Sequence, residues 1–316
     1  MEENMDSAKA ESVSVIVVAT DFSPGSDLAI ERAALLARQW DADLWLLHVF
    51  DDGLWATIKN IYDAERWAAV EPILAARNRL SQLTTEVAGR YGIRVQGETR
   101  TGRVATEIVA FARTQSAQLL VIGEHGEDWI SDTMLGGTAL KVLEEANISV
   151  LVVCRPATKA DQAAGDGSPP DAGYSQLLVA VDFSEAAERA ARQAISLFPE
   201  ARFSLVNAYL IPFESRMRLA GATDADIERY RAAERLHVKG RMRRFIERLA
   251  APDQLRGSEL FVRQSPASAI LGQAERSGAD LIVIGKHDGR IIEERLLGSV
   301  TRNVLYDAGR DVLLVP

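Results

Sequence analysis

Val15-Ile16-Val17-Val18-Ala19-Thr20-Asp21-Phe22-Ser23 returns later in the chain as Leu177-Leu178-Val179-Ala180-Val181-Asp182-Phe183-Ser184, with Asp182 in the place of Asp21. Both copies are apolar runs that stop abruptly at Asp-Phe-Ser. Leu119-Leu120-Val121-Ile122-Gly123-Glu124-His125 is matched by Leu281-Ile282-Val283-Ile284-Gly285-Lys286-His287, so that Gly285 answers Gly123. Leu135-Gly136 is matched by Leu297-Gly298, and Val150-Leu151-Val152-Val153 by Val312-Leu313-Leu314-Val315, at the same displacement along the chain. Motifs that recur in the same order and in nearly one register mark an internal duplication.

Between the copies, Arg155 to Gly173 contains Ala-Ala-Gly-Asp-Gly-Ser-Pro-Pro-Asp-Ala-Gly and no apolar period, the composition of a solvated linker. The expected organisation is a first domain over 1–155, a linker over 156–173 and a second domain over 174–316. Within each copy, short runs rich in β-branched residues alternate with longer stretches of helical period. Strands are predicted near 13–19, 43–49, 93–99, 118–123 and 149–154, and again near 176–181, 202–207, 258–263, 280–285 and 311–315. Helices are predicted near 26–40, 58–90, 103–116 and 135–146, then near 185–197, 224–249, 266–277 and 296–307. Strands that are apolar on both faces and alternate with helices form a parallel sheet covered on both sides. The fold class is therefore α/β, two tandem doubly wound domains with right-handed crossovers.

The bulk composition narrows the function. At 47% hydrophobic and 26% charged residues the chain is an ordinary globular protein. A formal charge of −9 and the lack of a dense Lys/Arg run argue against nucleic acid as a partner. The start, Met-Glu-Glu-Asn-Met-Asp, lacks the positive and then apolar pattern of a secretory signal, and no run reaches the ~20 apolar residues of a membrane span. A cytoplasmic protein with no membrane partner is expected. Cys154 is the only cysteine, so no internal disulfide and no thiolate metal cluster can form.

In a doubly wound sheet, ligands bind outside the carboxyl ends of the strands where the strand order reverses. Asp21 and Asp182 lie just past the first strand of each copy, and Gly123 and Gly285 just past the fourth. Position alone leaves two readings of the aspartates open: orienting an adenine or ribose, or capping the next helix. Gly123, Gly126 and Gly136 follow the spacing Gly-x2-Gly-x9-Gly at a strand end that opens a helix, with Gly137 and Thr138 next. Glycine lets backbone N–H groups approach a phosphate, and the helix N-terminus adds a favourable dipole. His48, in an apolar strand, reads as a core histidine. The Arg241, Arg243, Arg244 and Arg248 run reads as a solvated or interface face.

These motifs, Ala-Thr-Asp-Phe-Ser, Ala-Val-Asp-Phe-Ser, Leu-Leu-His-Val at 46–49, the Gly-x2-Gly-x9-Gly loop and Leu297-Gly298-Ser299-Val300-Thr301, resemble the universal stress protein family over both halves. The resemblance implies the strand order 3-2-1-4-5 in each domain and ATP or another adenine nucleotide, with magnesium as a companion ion, as the small-molecule ligand. The implied binding residues are Thr20, Asp21, Gly123, His125, Gly126, Gly136, Gly137 and Thr138 in the first half. In the second they are Val181, Asp182, Gly285, His287, Gly298, Ser299, Val300 and Thr301. The fifth strands of relatives pair across a two-fold axis. The same pairing here would join the two domains of one chain as a pseudo-dimer, and two chains could associate further into a homodimer.

Each copy departs from the pattern once. Gly137 stands where a hydroxyl is expected, and Asp288 where the loop's second glycine is expected. A carboxylate beside phosphates is repelled at short range, so the first domain is expected to be the better site. The chain has no Gly-x4-Gly-Lys-[Ser/Thr] run, no Gly-x-Gly-x2-Gly after the first strand and no acceptor aspartate after the third strand. No Ser/His/Asp or Cys/His arrangement supplies a nucleophile, which leaves at most slow ATP hydrolysis. The sequence thus supports a nucleotide-binding stress regulator, with a nucleotide-free interaction module of the same fold as the alternative.

Overall fold

A computed structural model describes residues 13–51, 53, 72–124, 135–154, 174–209, 213–249, 255–261, 265–286 and 297–316. The expected linker and part of the expected 58–90 helix lie outside the described residues. The first half runs β1 (Val15–Ala19), α1 (Pro24–Trp40), β2 (Asp43–Phe50), α2 (Pro72–Tyr91), β3 (Val95–Thr101), α3 (Val104–Thr114), β4 (Leu119–Gly123), α4 (Gly137–Glu145) and β5 (Ser149–Val153). The second half runs β6 (Gln176–Ala180), α5 (Glu185–Leu197), β7 (Arg202–Tyr209), α6 (Glu214–Leu219) and α7 (Asp224–Leu249). It continues with β8 (Leu255–Phe261), α8 (Pro266–Ser277), β9 (Leu281–Gly285), α9 (Ser299–Asp307) and β10 (Asp311–Val315).

The strand order is β3-β2-β1-β4-β5-β10-β9-β6-β7-β8 in one ten-stranded sheet. Each half is parallel and has the order 3-2-1-4-5, as expected. The fifth strands pair antiparallel, with Val312 opposite Val152 and Leu314 opposite Val150, so two parallel sheets become one mixed sheet. The cause lies in the sequence of β5 and β10: every residue of both is buried, and an apolar edge strand needs a partner for its backbone groups. The outer edge strand β3, Val-Gln-Gly-Glu-Thr-Arg-Thr, has no fully buried residue and tolerates solvent.

One core layer packs α1, α2, α5 and α7 on one face of the sheet, and the other packs α3, α4, α8 and α9 on the opposite face. Several expected limits shift by two or three residues, and two differences have a clear cause. The third strand of the second half covers 255–261 rather than 258–263, since an edge strand carries polar residues and its limits are poorly marked by apolar period. Helix α6 has no counterpart among the expected helices, because six residues are too few to show a helical repeat.

Polar side chains bind the halves at the seam. Asp311, 5% exposed, accepts from the Cys154 amide (3.0 Å) and the Tyr174 hydroxyl (2.5 Å) and pairs with Arg32 Nε at 3.1 Å. The Arg32 guanidinium also lies over the Tyr174 ring, 4.8 Å from its centroid. Ser149, which occupies the Asp311 position of the first half, donates to Gln193 at 3.0 Å. The seam is thus ionic on one side of the pseudo-two-fold and neutral on the other.

Burial pushes the Asp311 carboxyl above its ordinary pKa, against the lowering effects of Arg32, the Tyr174 hydroxyl and the Cys154 amide. The folded chain then holds this proton more tightly than the unfolded one. The stability Asp311 contributes in this way is complete below the unfolded value of ~3.9 and is lost as pH rises through the folded value. Asp311→Asn is expected to flatten that segment of the stability–pH profile in urea titrations. Asp311→Ala, which strips three donors of their acceptor, is expected to cost about 3 kcal/mol at pH 7.

Candidate functional site

The carboxyl end of β1 is built by a short chain of local hydrogen bonds. β1 lies beside β4 with Val18 opposite Val121, so Thr20 and Gly123, each two positions further on, leave the sheet side by side. The buried Thr20 hydroxyl lies 3.0 Å from Ser26 Oγ and accepts from the Phe22 amide at 3.0 Å. Asp21 Oδ1 accepts from the Ser23 amide at 3.0 Å, and Ser23 Oγ in turn accepts from the Ser26 amide at 3.2 Å. The serine therefore caps α1, with Pro24 following it in the first turn, while the aspartate sets the Asx turn that leads into the cap. In the second half Asp182 Oδ1 accepts from the Ser184 amide (2.9 Å), and Ser184 caps α5.

Between aspartate and serine the backbone is strained. Phe22 has φ of 64° and Phe183 of 65°, a left-handed conformation that costs a non-glycine residue roughly 1–2 kcal/mol. Side chains hold it in both halves. The Arg79 guanidinium lies 4.6 Å from the Phe22 ring centroid and donates to the Phe22 carbonyl at 3.2 Å, while the His48 ring stacks on that of Phe22 with centroids 4.6 Å apart. His48 Nδ1 is 2.9 Å from the Thr20 carbonyl, and since a carbonyl only accepts, that nitrogen carries the proton. The equivalents in the second half are Arg241, 4.3 Å from the Phe183 centroid, and Asn207, which donates to the Val181 carbonyl at 2.7 Å.

Arg79 and Arg241 occupy equivalent positions in the register of the duplication, the same displacement that relates Gly123 to Gly285. The sequence places Arg241 on a solvated or interface face, and it is exposed there; its stacking over Phe183 is an additional role, a tertiary guanidinium–ring contact that leaves no periodic trace. The shared displacement is the signal that could have found the pair.

Across the crevice, β4 ends at Gly123 and α4 begins at Gly137 rather than at 135. Gly136 is the N-cap, offers no side-chain cap, and its amide donates to the Glu124 carbonyl at 2.9 Å. Strand end and helix start are therefore tied together, with Gly137 and Thr138 exposed at the first helical positions. A Cβ on Gly137 would meet nothing within 4 Å, so this position is open space. In the second half Gly298 is the N-cap of α9, Ser299 is exposed, Val300 half-buried and Thr301 buried. Gly285 is different again: a Cβ there would fall 2.4 Å from the Ala186 carbonyl oxygen, because α5 starts directly over the end of β9. His125, Gly126, His287 and Asp288 lie outside the described residues.

Thr20, Asp21, Gly123, Gly136, Gly137 and Thr138 are thus gathered at one end of the first half. Val181, Asp182, Gly285, Gly298, Ser299, Val300 and Thr301 are gathered at the matching end of the second. Because β5 and β10 run antiparallel, these two ends lie on opposite edges of the ten-stranded sheet. Lys286, directly after β9, carries no signal in the sequence. Its ammonium crosses the seam and donates to the carbonyls of Leu143 (2.9 Å), Glu144 (2.7 Å) and Ala146 (3.0 Å) at the end of α4. Among the described residues no group of three or more His, Cys, Asp or Glu could hold a metal ion, and no helix is long and apolar enough to cross a membrane.

The model of the universal stress protein family matches residues 13–154 and again 173–316. The chain belongs to the universal stress protein family. A universal stress protein of Mycolicibacterium smegmatis is 29% identical over 307 residues, covering 95% of this chain and 96% of that one. A universal stress protein of Methanocaldococcus jannaschii is 29% identical over 150 residues, covering 45% of this chain and 82% of its own length, which fits a relative with one copy of the unit. Among solved structures, a universal stress protein from Archaeoglobus fulgidus superposes with a TM-score of 0.61 at 16% identity, covering 95% of this chain and 97% of that one. A functionally unknown protein from Pseudomonas aeruginosa gives 0.61 at 20% identity, covering 97% and 93%. The tandem arrangement is therefore a fold this universal stress protein shares with both of those structures.

Gly285→Ala is expected to destabilise the second half by about 1–3 kcal/mol through overpacking against the first turn of α5. Gly137→Ala, placed in open space, is expected to leave stability unchanged or slightly raised. Thermal unfolding of the two variants side by side checks this contrast.

Proposed function

We propose that this universal stress protein is a cytoplasmic regulatory protein that holds an adenine nucleotide in the first-half crevice, between the β1 end and the start of α4. The observation that carries the reading is the start of α4. Its first turn has no side-chain cap, its Gly137 position is open, and its N-cap Gly136 is tied to Glu124, one residue past the Gly123 that leaves the sheet beside Thr20. The unsatisfied N–H groups of a helix start attract phosphate oxygens, and a carboxylate at Asp21 can accept from an adenine amine or a ribose hydroxyl. Membership of the family supports the same reading.

In this reading Thr20 and Asp21 face the nucleoside, while Gly123, His125, Gly126, Gly136, Gly137 and Thr138 border the ribose and phosphates. Val181, Asp182, Gly285, His287, Gly298, Ser299, Val300 and Thr301 form the weaker second site, where Asp288 opposes the phosphates unless magnesium screens it. The domain limits 1–155 and 174–316 are proposed with it. No described group acts as a nucleophile in this reading, and signalling follows occupancy rather than turnover.

Calorimetric titration with ATP tests the assignment. Gly126→Asp is expected to remove most binding, and Asp288→Gly to create or strengthen a second site. Gly137→Ser, whose side chain enters open space, is expected to tighten the first site by about two- to tenfold, the worth of one added hydrogen bond. ATP binding by the wild type through the second half alone would overturn the reading.

A second reading, an interaction module acting through protein partners, is favoured by the exposure of Phe213 (62%), Leu219 (91%) and Leu236 (72%) around α6 and α7. In this reading a second chain docks on such a surface, since β5 and β10 are already paired with each other.

A further inference from the structure

Helix α4 is poorly equipped to stand alone. It has nine residues, begins with Gly137 and Thr138, has no side-chain N-cap and no basic residue in its last turn. Short helices with weak propensity and no caps are marginal without outside support. Ala139, Val142 and Leu143 pack it into the core of its own half, and its C-terminal end is supported from the other half of the chain. Lys286 Nζ donates three hydrogen bonds to the last carbonyls of α4, and Arg302 of α9 reaches the Glu144 carboxylate at 3.8 Å. A cation at a helix C-terminus satisfies orphan carbonyls and opposes the negative end of the dipole.

Among the described residues the arrangement has no counterpart across the pseudo-two-fold. The residue matching Lys286 in the first half is Glu124, whose carboxylate cannot donate to carbonyls. Helix α9 likewise has no basic residue in its last turn; its end is met from within its own half by Arg310, which donates to the Ala308 carbonyl at 3.4 Å.

We propose that Lys286, from the second half, is a positioning residue for the nucleotide site of the first half. By gripping the far end of α4 it holds the Gly136–Gly137–Thr138 start in place against the phosphates. This rests on the nucleotide reading of that crevice. The second half, carrying Asp288 in its own loop, then serves as a scaffold for the first, which gives the duplication a directional role.

The test uses full-length chains carrying Gly298→Glu, which sets a carboxylate at the start of α9 and closes the second site; a Cβ there meets only Thr301 Oγ1 at 4.0 Å. In this background Lys286→Met is expected to weaken ATP binding about three- to tenfold, and to weaken adenosine, which lacks the phosphates held by the start of α4, markedly less. Lys286→Arg should restore ATP binding. Without ligand, the amides of 140–146 should exchange faster in Lys286→Met than in the parent. If Lys286→Met does not fold, Lys286→Gln, which keeps donors but not the charge, is read against the same expectations.

ATP binding as tight as in the parent, or equal weakening of ATP and adenosine, overturns the proposal and leaves the nucleotide reading standing. A parent chain that binds neither ligand overturns the nucleotide reading, and the positioning role with it.

Discussion

Two apolar strands, β5 and β10, each leave one row of backbone donors and acceptors without a partner inside their own five-stranded unit. Neither strand has an exposed residue, so water cannot take up those groups without also wetting Val and Leu side chains. Antiparallel pairing of one with the other resolves both deficits at once. Everything else in the architecture follows from it: one sheet in place of two, two continuous core layers, and two crevices set at opposite edges. It also explains why a buried carboxylate is tolerated at Asp311, where Arg32, Tyr174 and the Cys154 amide converge from elements that only the seam brings together.

Much of this was legible in the residues. The duplication fixed the number of units, and the apolar runs fixed the strands, because a strand buried on both faces must be written as a continuous apolar stretch. Thr20, Asp21, Gly136 and Gly298 were legible for a related reason: a doubly wound sheet places whatever follows the first strand and precedes the last helix at the same rim. β8 was misplaced because Leu-Arg-Gly-Ser-Glu-Leu-Phe at an edge carries mixed polarity. Of the two readings open for the aspartates, the capping one is corrected by the structure. Their proximity to a helix start could be read, but not that Ser23 and Ser184 would take the cap and leave Asp21 and Asp182 to shape the turn before it.

What the sequence hid are contacts made at a distance along the chain. Arg79 over Phe22 and Arg241 over Phe183 stabilise a backbone that is unfavourable by itself, and local propensity has no means of announcing a strained residue rescued from another element. Lys286 is hidden more deeply. Its position was in plain sight beside Gly285, yet its value depends on which helix end lies across the seam, and that is a property of the assembled sheet.

The length of that sheet has its own consequence. Neighbouring strands rotate by roughly 20–25°, so over ten strands the rotation accumulates to roughly half a turn. Helices α2 and α7 sit on the same face of the sheet but near its two ends, so a twist of that order turns them well away from each other. Leu74 on α2 and Leu236 on α7, in matching positions of the duplication, are both exposed. The molecule thus carries one kind of exposed apolar helical surface twice, once towards each end of the sheet.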